Sequence, residues 1–147
     1  MNFITTKEMS KHLLAIGVAP TTADFVYIHA MFDQFDSTTT VSPLCNFADK
    51  KAVLKEHSNL PAWSLSAILA LMPAHIKVSG KEYTLTMRKW FDPEYEQERH
   101  EFAYEYLIDE TMLHYTDDAD ATTAAYKMVC WLFAQSWNVD FCILAGL

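Results

Sequence analysis

Residues 76–88 read Ile76-Lys77-Val78-Ser79-Gly80-Lys81-Glu82-Tyr83-Thr84-Leu85-Thr86-Met87-Arg88. Apolar and polar residues alternate on both sides of Ser79-Gly80-Lys81: Ile76 and Val78 before it, then Tyr83, Leu85 and Met87 interleaved with Thr84, Thr86 and Arg88. Successive side chains of a strand point to opposite faces, so the pattern describes two strands, joined by a glycine turn, that bury one face. An antiparallel β-hairpin in the middle of the chain is therefore the starting point for the fold.

Working outward, Glu101 to Ile108 alternates again, with Phe102, Tyr104, Tyr106 and Ile108 on one side, and Thr111 to Tyr115 is the expected hairpin partner. A competing reading stays open, in which Glu94 to Leu113 forms one helix, because Glu and Leu favour helices. Asp117-Asp118-Ala119-Asp120 places acids where a helix begins, capping free N–H groups and complementing the dipole. Ala121, Ala124, Ala125, Met128, Val129, Leu132 and Phe133 then form an apolar stripe that predicts a helix over 121–136, packed on the sheet. The apolar tail Phe141 to Leu147 is expected to pack as an edge strand, with a partner contact as the alternative.

Upstream, Thr5-x-x-Glu8 has capping-box spacing, Met9, Leu13 and Ile16 recur at helical intervals, and Gly17 offers a stop, which predicts a helix over 6–16. Pro20 with Thr21, Thr22 and Asp24 suits a short turn, and Phe25 to Phe32 is dense in strand formers, with helix as the competing reading. Residues 33–59 are the least regular: Ser37 to Thr40 and Pro43 read as a loop, Asp49 to Glu56 as one or two helical turns, together an insertion or lid. Pro61-Ala62-Trp63-Ser64 opens a segment whose Leu65, Ile68, Leu69 and Met72 share a helical face until Pro73, a short buried helix over 64–72. The fold class is α+β: an antiparallel β-meander packed against an N-terminal helix, a short central helix and a longer C-terminal helix.

The chain has 147 residues, 51% hydrophobic and 14% aromatic, which suits a single folded domain over 1–147 and excludes disorder of the whole. Its three glycines, Gly17, Gly80 and Gly146, stand apart, so neither a P-loop nor a dinucleotide fingerprint is present. Cys45, Cys130 and Cys142 are an odd set without Cys-x-x-Cys spacing, and the N-terminus lacks an apolar leader, so a reducing, cytoplasmic setting is expected. No apolar run approaches the roughly 20 residues that span a bilayer, so no membrane association is expected. The net charge of −8 is uneven: residues 92–120 hold eleven acids against Arg99 alone. Basic residues cluster only at Lys50-Lys51-Lys55 and Arg88-Lys89, which argues against direct nucleic-acid binding through phosphate contacts.

Candidate chemistry is sparse. No two of His12, His29, His57, His75, His100 and His114 are spaced three to five apart, as a local metal-ligand pair would be. Glu96 and His100 are the best local pair, and Tyr104 stands where a zinc-protease helix would carry its second histidine. Asp118-x-Asp120 opens like a calcium loop but meets Thr122 at the next ligand position, so capping explains it better. Cys130, beside Trp131 in a helix, is expected to be buried and inert, and a Gly-x-Ser-x-Gly elbow is absent. Glu94, Glu96, Glu98 and Glu101 include pairs suited to acid–base work, but so dense a run of acids yields close pairs without catalytic meaning. No catalytic residue, metal or cofactor is assigned. The aromatics suit a core, except Trp90, which follows Thr84, Thr86 and Arg88 on the outer face of the hairpin. Trp90, Glu94, Glu96, Glu98, Glu101 and Glu105 are thus the expected ligand or partner surface.

The segments Thr5-x-x-x-x-Ser10-Lys11-x-Leu13-Leu14-x-x-Gly17 with Thr22-Ala23-Asp24, Pro61 to Pro73, Gly80-Lys81-x-Tyr83-x-Leu85 and Trp131-Leu132 resemble a group of small uncharacterised proteins. These are encoded in gut Bacteroidales genomes and their phages or other mobile elements. The resemblance touches residues 5–24, 61–90 and 120–135, with Pro61-Ala62-Trp63-Ser64-Leu65 its most specific part. It implies a bacterial or phage context and an accessory role, and brings no catalytic residue with it. The expected function is that of a non-enzymatic interaction protein using the acidic 92–120 region or the apolar C-terminus. Its partner would present a basic or apolar surface, or be a second copy held through the C-terminal segment. The alternatives are an acidic mimic of nucleic acid, and a small hydrolase or metal enzyme using Glu96 and His100.

Overall fold

The computed structural model describes residues 2–33, 36–56, 58–135 and 141–143, and of 30–33, 36–38 and 141–143 the backbone alone. Two antiparallel sheets and four α-helices make it α+β. The chain divides into two compact units, Phe3–Ala67 and Ile68–Leu147 with Met1–Asn2.

In the first unit, helix α1 spans Lys7–Ala15 and is capped by Thr6, whose Oγ1 accepts from the Met9 N–H at 3.2 Å. Thr5, the cap expected from the capping-box spacing, is wholly buried instead. Its hydroxyl lies 2.7 Å from Ser10 Oγ and accepts from the Trp63 N–H at 3.1 Å, and its own N–H donates to the Trp63 carbonyl at 2.9 Å. A buried hydroxyl in the core is worth more satisfied there than at a solvated helix end, and the neighbouring threonine takes over the cap. The helix closes as a Schellman motif: Val18 N–H donates to Leu13 C=O at 3.0 Å and Gly17 N–H to Leu14 C=O at 3.1 Å. Gly17 has φ 103°, a value that glycine adopts without the Cβ clash other residues suffer.

After a 3-10 turn over Pro20–Thr22, strands β1 (Phe25–Asp33), β2 (Asp36–Pro43) and β3 (Leu60–Ala62) form a sheet in the order β2-β1-β3. The helical alternative for 25–32 is thereby ruled out. So is the loop expected at 37–40, which pairs in register with β1 from Ser37 opposite Met31 to Pro43 opposite Phe25. Thr38 to Val41 is a β-branched run, and its polarity is that of an edge strand solvated on both faces, since the successive residues Thr39 and Thr40 are both exposed. Strand β3 lies where the opening of a helical segment was expected; Pro61 is tolerated because β3 is an edge strand. Helix α2 (Lys50–Lys55) is capped by Asp49, and α3 (Leu65–Ala70) is shorter than the expected 64–72, with Ser64 Oγ accepting from the Ala67 N–H at 3.2 Å.

The second unit holds β4 (His75–Val78), β5 (Lys81–Asp92), β6 (Gln97–Tyr106), β7 (Thr111–Asp118), α4 (Ala121–Ala134) and β8 (Phe141–Ile143), with sheet order β7-β6-β5-β4-β8. The founding hairpin closes on Ser79 and Gly80 alone, with φ 50° and 82°, the positive values that a two-residue turn between twisted strands requires. Lys81 belongs to β5. The single helix over 94–113 does not form: Gln97 to Tyr106 is strand, paired with β5 and β7. Burial of Phe102, Ala103 and Tyr104 outweighs the helix propensity of the intervening glutamates. The strand ends two residues before Ile108, which lies in the turn and is 83% exposed.

Helix α4 is capped by Asp120 and packs on β6 and β7. The Thr116 hydroxyl donates to the Ala124 carbonyl at 2.8 Å, and Trp131 stacks on His114 with ring centroids 4.4 Å apart. Thr122 rather than Ala121 is buried in its first turn, because its hydroxyl donates to the Asn2 carbonyl at 2.7 Å. Residues 141–143 form the expected edge strand, antiparallel to β4, while 144–147 lie outside the described residues. Among the described residues no helix is long and apolar enough to cross a membrane.

Candidate functional site

Strand lengths in the second sheet are mismatched, and this builds the candidate site. β4 pairs with β5 only over Lys81 to Thr84, and β7 reaches back along β6 only to His100. Among the described residues, β5 from Leu85 onward therefore has β6 as its one strand neighbour, and Gln97 to Arg99 of β6 pair with β5 alone. The end of this hairpin is a two-stranded ribbon closed by the turn 93–96, in which Asp92 Oδ1 accepts from the Glu94 N–H at 2.9 Å and Glu96 takes φ 50°.

Both faces of the ribbon carry exposed apolar side chains. Met87 and Phe91 are 61% and 60% exposed on the face shared with Phe102 and Tyr104, where α4 covers β6 and β7 but not this stretch of β5. Trp90 is 38% exposed on the opposite face, as expected of an outward residue, and Tyr95 is 66% exposed in the turn. The apolar neighbours Trp90 and Phe91 were the signal for this: adjacent strand residues point to opposite faces, so two large apolar ones in succession leave no wholly polar face.

The six sequence-expected residues separate into two groups. Trp90, Glu94, Glu96 and Glu98 lie together at the ribbon end. Glu98 accepts from Lys89 Nζ at 2.9 Å, and that hydrogen bond holds its carboxyl below the usual range. Glu101 and Glu105 sit further down the Trp90 face, among charges of both signs. Glu105 is 4% exposed and accepts from Arg88 Nη2 at 2.6 Å, so it is not available as a surface acid. Glu101 is half-buried, one carboxylate oxygen lacks a hydrogen-bond partner, and burial raises its pKa against the opposing pull of Arg88. Arg99 completes the face by binding Asp117 Oδ2 through Nη2 at 2.8 Å.

Other chemistry-bearing side chains are dispersed. Glu96 lies in the exposed turn while His100 stands on β6, its Nε2 buried without a hydrogen-bond partner. Among the described residues no three His, Cys, Asp or Glu side chains converge as metal ligands would. Cys130 is half-buried on α4, where burial pushes its thiol pKa up, away from thiolate chemistry. Shallow hollows of about 190 and 180 Å³ in the first unit are lined by Lys7, Lys11 and Tyr27 and by Lys50, Lys51 and Leu44 among others, and neither includes a ribbon residue. Comparison with known proteins finds no match to this chain among family models, curated proteins or solved structures.

Proposed function

We propose that this protein is an interaction module, and that the exposed end of the β5–β6 ribbon is its contact surface for a protein partner. The observation that carries the reading is the coincidence of Trp90, Phe91 and Tyr95, all exposed, with Asp92, Glu94, Glu96 and Glu98 in a stretch that holds no base. Exposed apolar area costs about 25 cal/mol per Å² relative to burial, so a cluster of large side chains on both faces of a ribbon favours being covered. The surrounding carboxylates suit a partner surface that is basic around an apolar centre. Glu94 and Glu96 form no ion pair among the described residues, so their charges are free to meet one. The resemblance to small proteins of bacterial and phage genomes fits an accessory role of this kind.

Nucleic-acid mimicry is less well supported, since Arg88 and Arg99 interrupt the carboxylates of β6 and β7 and Glu105 is buried. The test is affinity capture from a bacterial lysate with the native chain and with a Trp90→Ser/Glu94→Lys/Glu96→Lys variant. A partner retained by the native chain and weakened at least tenfold by the variant supports the reading. Equal capture by both, or capture by neither, refutes it.

A further inference from the structure

We propose that β5 pairs edge to edge with β5 of a second copy of this chain, antiparallel and centred on Trp90, so that the two five-stranded sheets become continuous across a two-fold axis. The backbone supplies the first argument. The Leu85 N–H donates to the Ala74 carbonyl at 2.9 Å, on the side away from β6. The period of two then aims the N–H and C=O groups of Met87, Lys89 and Phe91 along the same outer edge. Among the described residues no strand pairs with that edge beyond Thr84. An open row of backbone donors and acceptors is a template for strand addition.

The side chains choose the occupant and the register. In an antiparallel pair, opposed residues either both direct their backbone groups at each other or both turn them away, which allows two-fold centres on Met87, Arg88, Lys89, Trp90 or Phe91 along this edge. Centring on Met87 would oppose Lys89 of the second copy to Leu85, whose N–H already goes to Ala74, and centring on Phe91 would oppose Lys89 to Pro93, which has no N–H to give. Centring on Arg88 opposes two arginines, and centring on Lys89 opposes two lysines; both are like-charge pairs. Centring on Trp90 opposes Arg88 to Asp92 of the second copy twice, Lys89 to Phe91 twice, and Trp90 to its own equivalent. Each pairing is favourable: opposite charges, a cation over an aromatic ring, and two indoles. The groups are placed for it, since Arg88 is half exposed beyond its bond to Glu105, and Lys89 is held by Glu98 at 2.9 Å on the face that Phe91 shares. Pro93, which lacks an N–H, then lies opposite Met87 and ends the seam. Glu94 and Glu96 remain in the turn outside the paired residues, so this pairing goes beyond the partner reading, with Trp90, Phe91 and Asp92 common to both surfaces; sedimentation and crosslinking of the chain alone test the seam independently of any other partner.

So short a seam falls below the standard interface of about 1,200–2,000 Å², which implies a dissociation constant of roughly 10–1000 µM. Sedimentation equilibrium of the native chain across that range is expected to show a monomer–dimer equilibrium. Lys89→Pro removes an outward N–H that the β5–β6 pairing does not use, and Asp92→Arg opposes a second arginine to Arg88; each is expected to weaken the dimer at least fivefold with the circular dichroism of the fold retained. Register is read in a Cys45→Ser background by oxidation of Trp90→Cys and Lys89→Cys, with Glu94→Cys as an exposed control. Residues opposed at the two-fold in the Trp90-centred register lie about 4.5 Å apart by Cα, within disulfide reach. A 90–90 crosslink, identified by peptide mapping and faster than the control, is the expected result. A strictly monomeric native chain, an 89–89 crosslink as fast as 90–90, or no 90–90 link above the control overturns the proposal.

Discussion

The ion pair between Arg88 and Glu105 makes an asymmetric prediction. Its two ends live in different solvents: the Glu105 side chain is 5% exposed, the Arg88 side chain 53%. Removing Arg88 leaves a carboxylate that water cannot reach, whereas removing the charge of Glu105 leaves a guanidinium that rehydrates where it stands. Breaking a fully buried pair costs about 3–5 kcal/mol, and a hydrogen bond to a charged group contributes about 1.5–3 kcal/mol. With one partner half in water, Arg88→Met is expected to cost about 2–3 kcal/mol and Glu105→Gln about 1 kcal/mol. In the double variant most of the Arg88→Met cost should vanish, because no stranded charge remains, so the coupling energy is about 1.5 kcal/mol. Urea unfolding of the native chain, both single variants and the double variant, at pH 7 and equal m values, measures all four corners. If Glu105→Gln proves as costly as Arg88→Met, or the coupling is below about 0.3 kcal/mol, then desolvation of Glu105 does not govern this pair and the reasoning fails.

Two further tests concern groups whose protonation the fold disturbs. Burial raises the Glu101 pKa and leaves one oxygen unbonded. Its contribution is therefore most favourable below the unfolded value and is lost as pH rises through the folded one. Glu101→Gln is expected to stabilise by about 0.5–1.5 kcal/mol at pH 7 and to give no gain below about pH 4; destabilisation at pH 7 in thermal melts would contradict this. His114 moves the other way: burial against Trp131 lowers its pKa, so the unfolded chain takes up a proton first and stability declines as pH falls below about 6.5. Between pH 8 and pH 5 the native chain should lose more melting temperature than His114→Phe, which keeps the stack; equal losses would remove His114 as the cause.

Features written within a few residues were legible. The hairpin around Ser79-Gly80, the cap at Asp120 and the stop at Gly17 each depend on a local period or on backbone freedom at one position, and each stands as read. The sheet around β1 was only half legible, because β2 resembles a polar loop until its pairing with β1 is known, and β3 is three residues long and contains a proline. The choice between Thr5 and Thr6 as cap turned on Trp63, 58 residues away, whose backbone claims Thr5. No local pattern carries that information.

The same division holds for the candidate site. Taken alone, the sequence determined that residues 92–120 are acidic, that a strand runs up to Pro93 and that Trp90 lies on the face opposite Met87, because charge and a period of two are properties of the chain itself. Helix or strand after Pro93 was settled only by the pairing of 97–106 with β5 and β7. Tertiary structure decided which of those acids meet water. Glu98 and Glu105 lie on one strand, β6, yet one stands on a ribbon beyond the reach of β4 and β7 and the other lies under Arg88 in the middle of the sheet. Where neighbouring strands stop is set by pairings between distant segments, and those endpoints turn an unremarkable hairpin end into an exposed, open-edged ribbon.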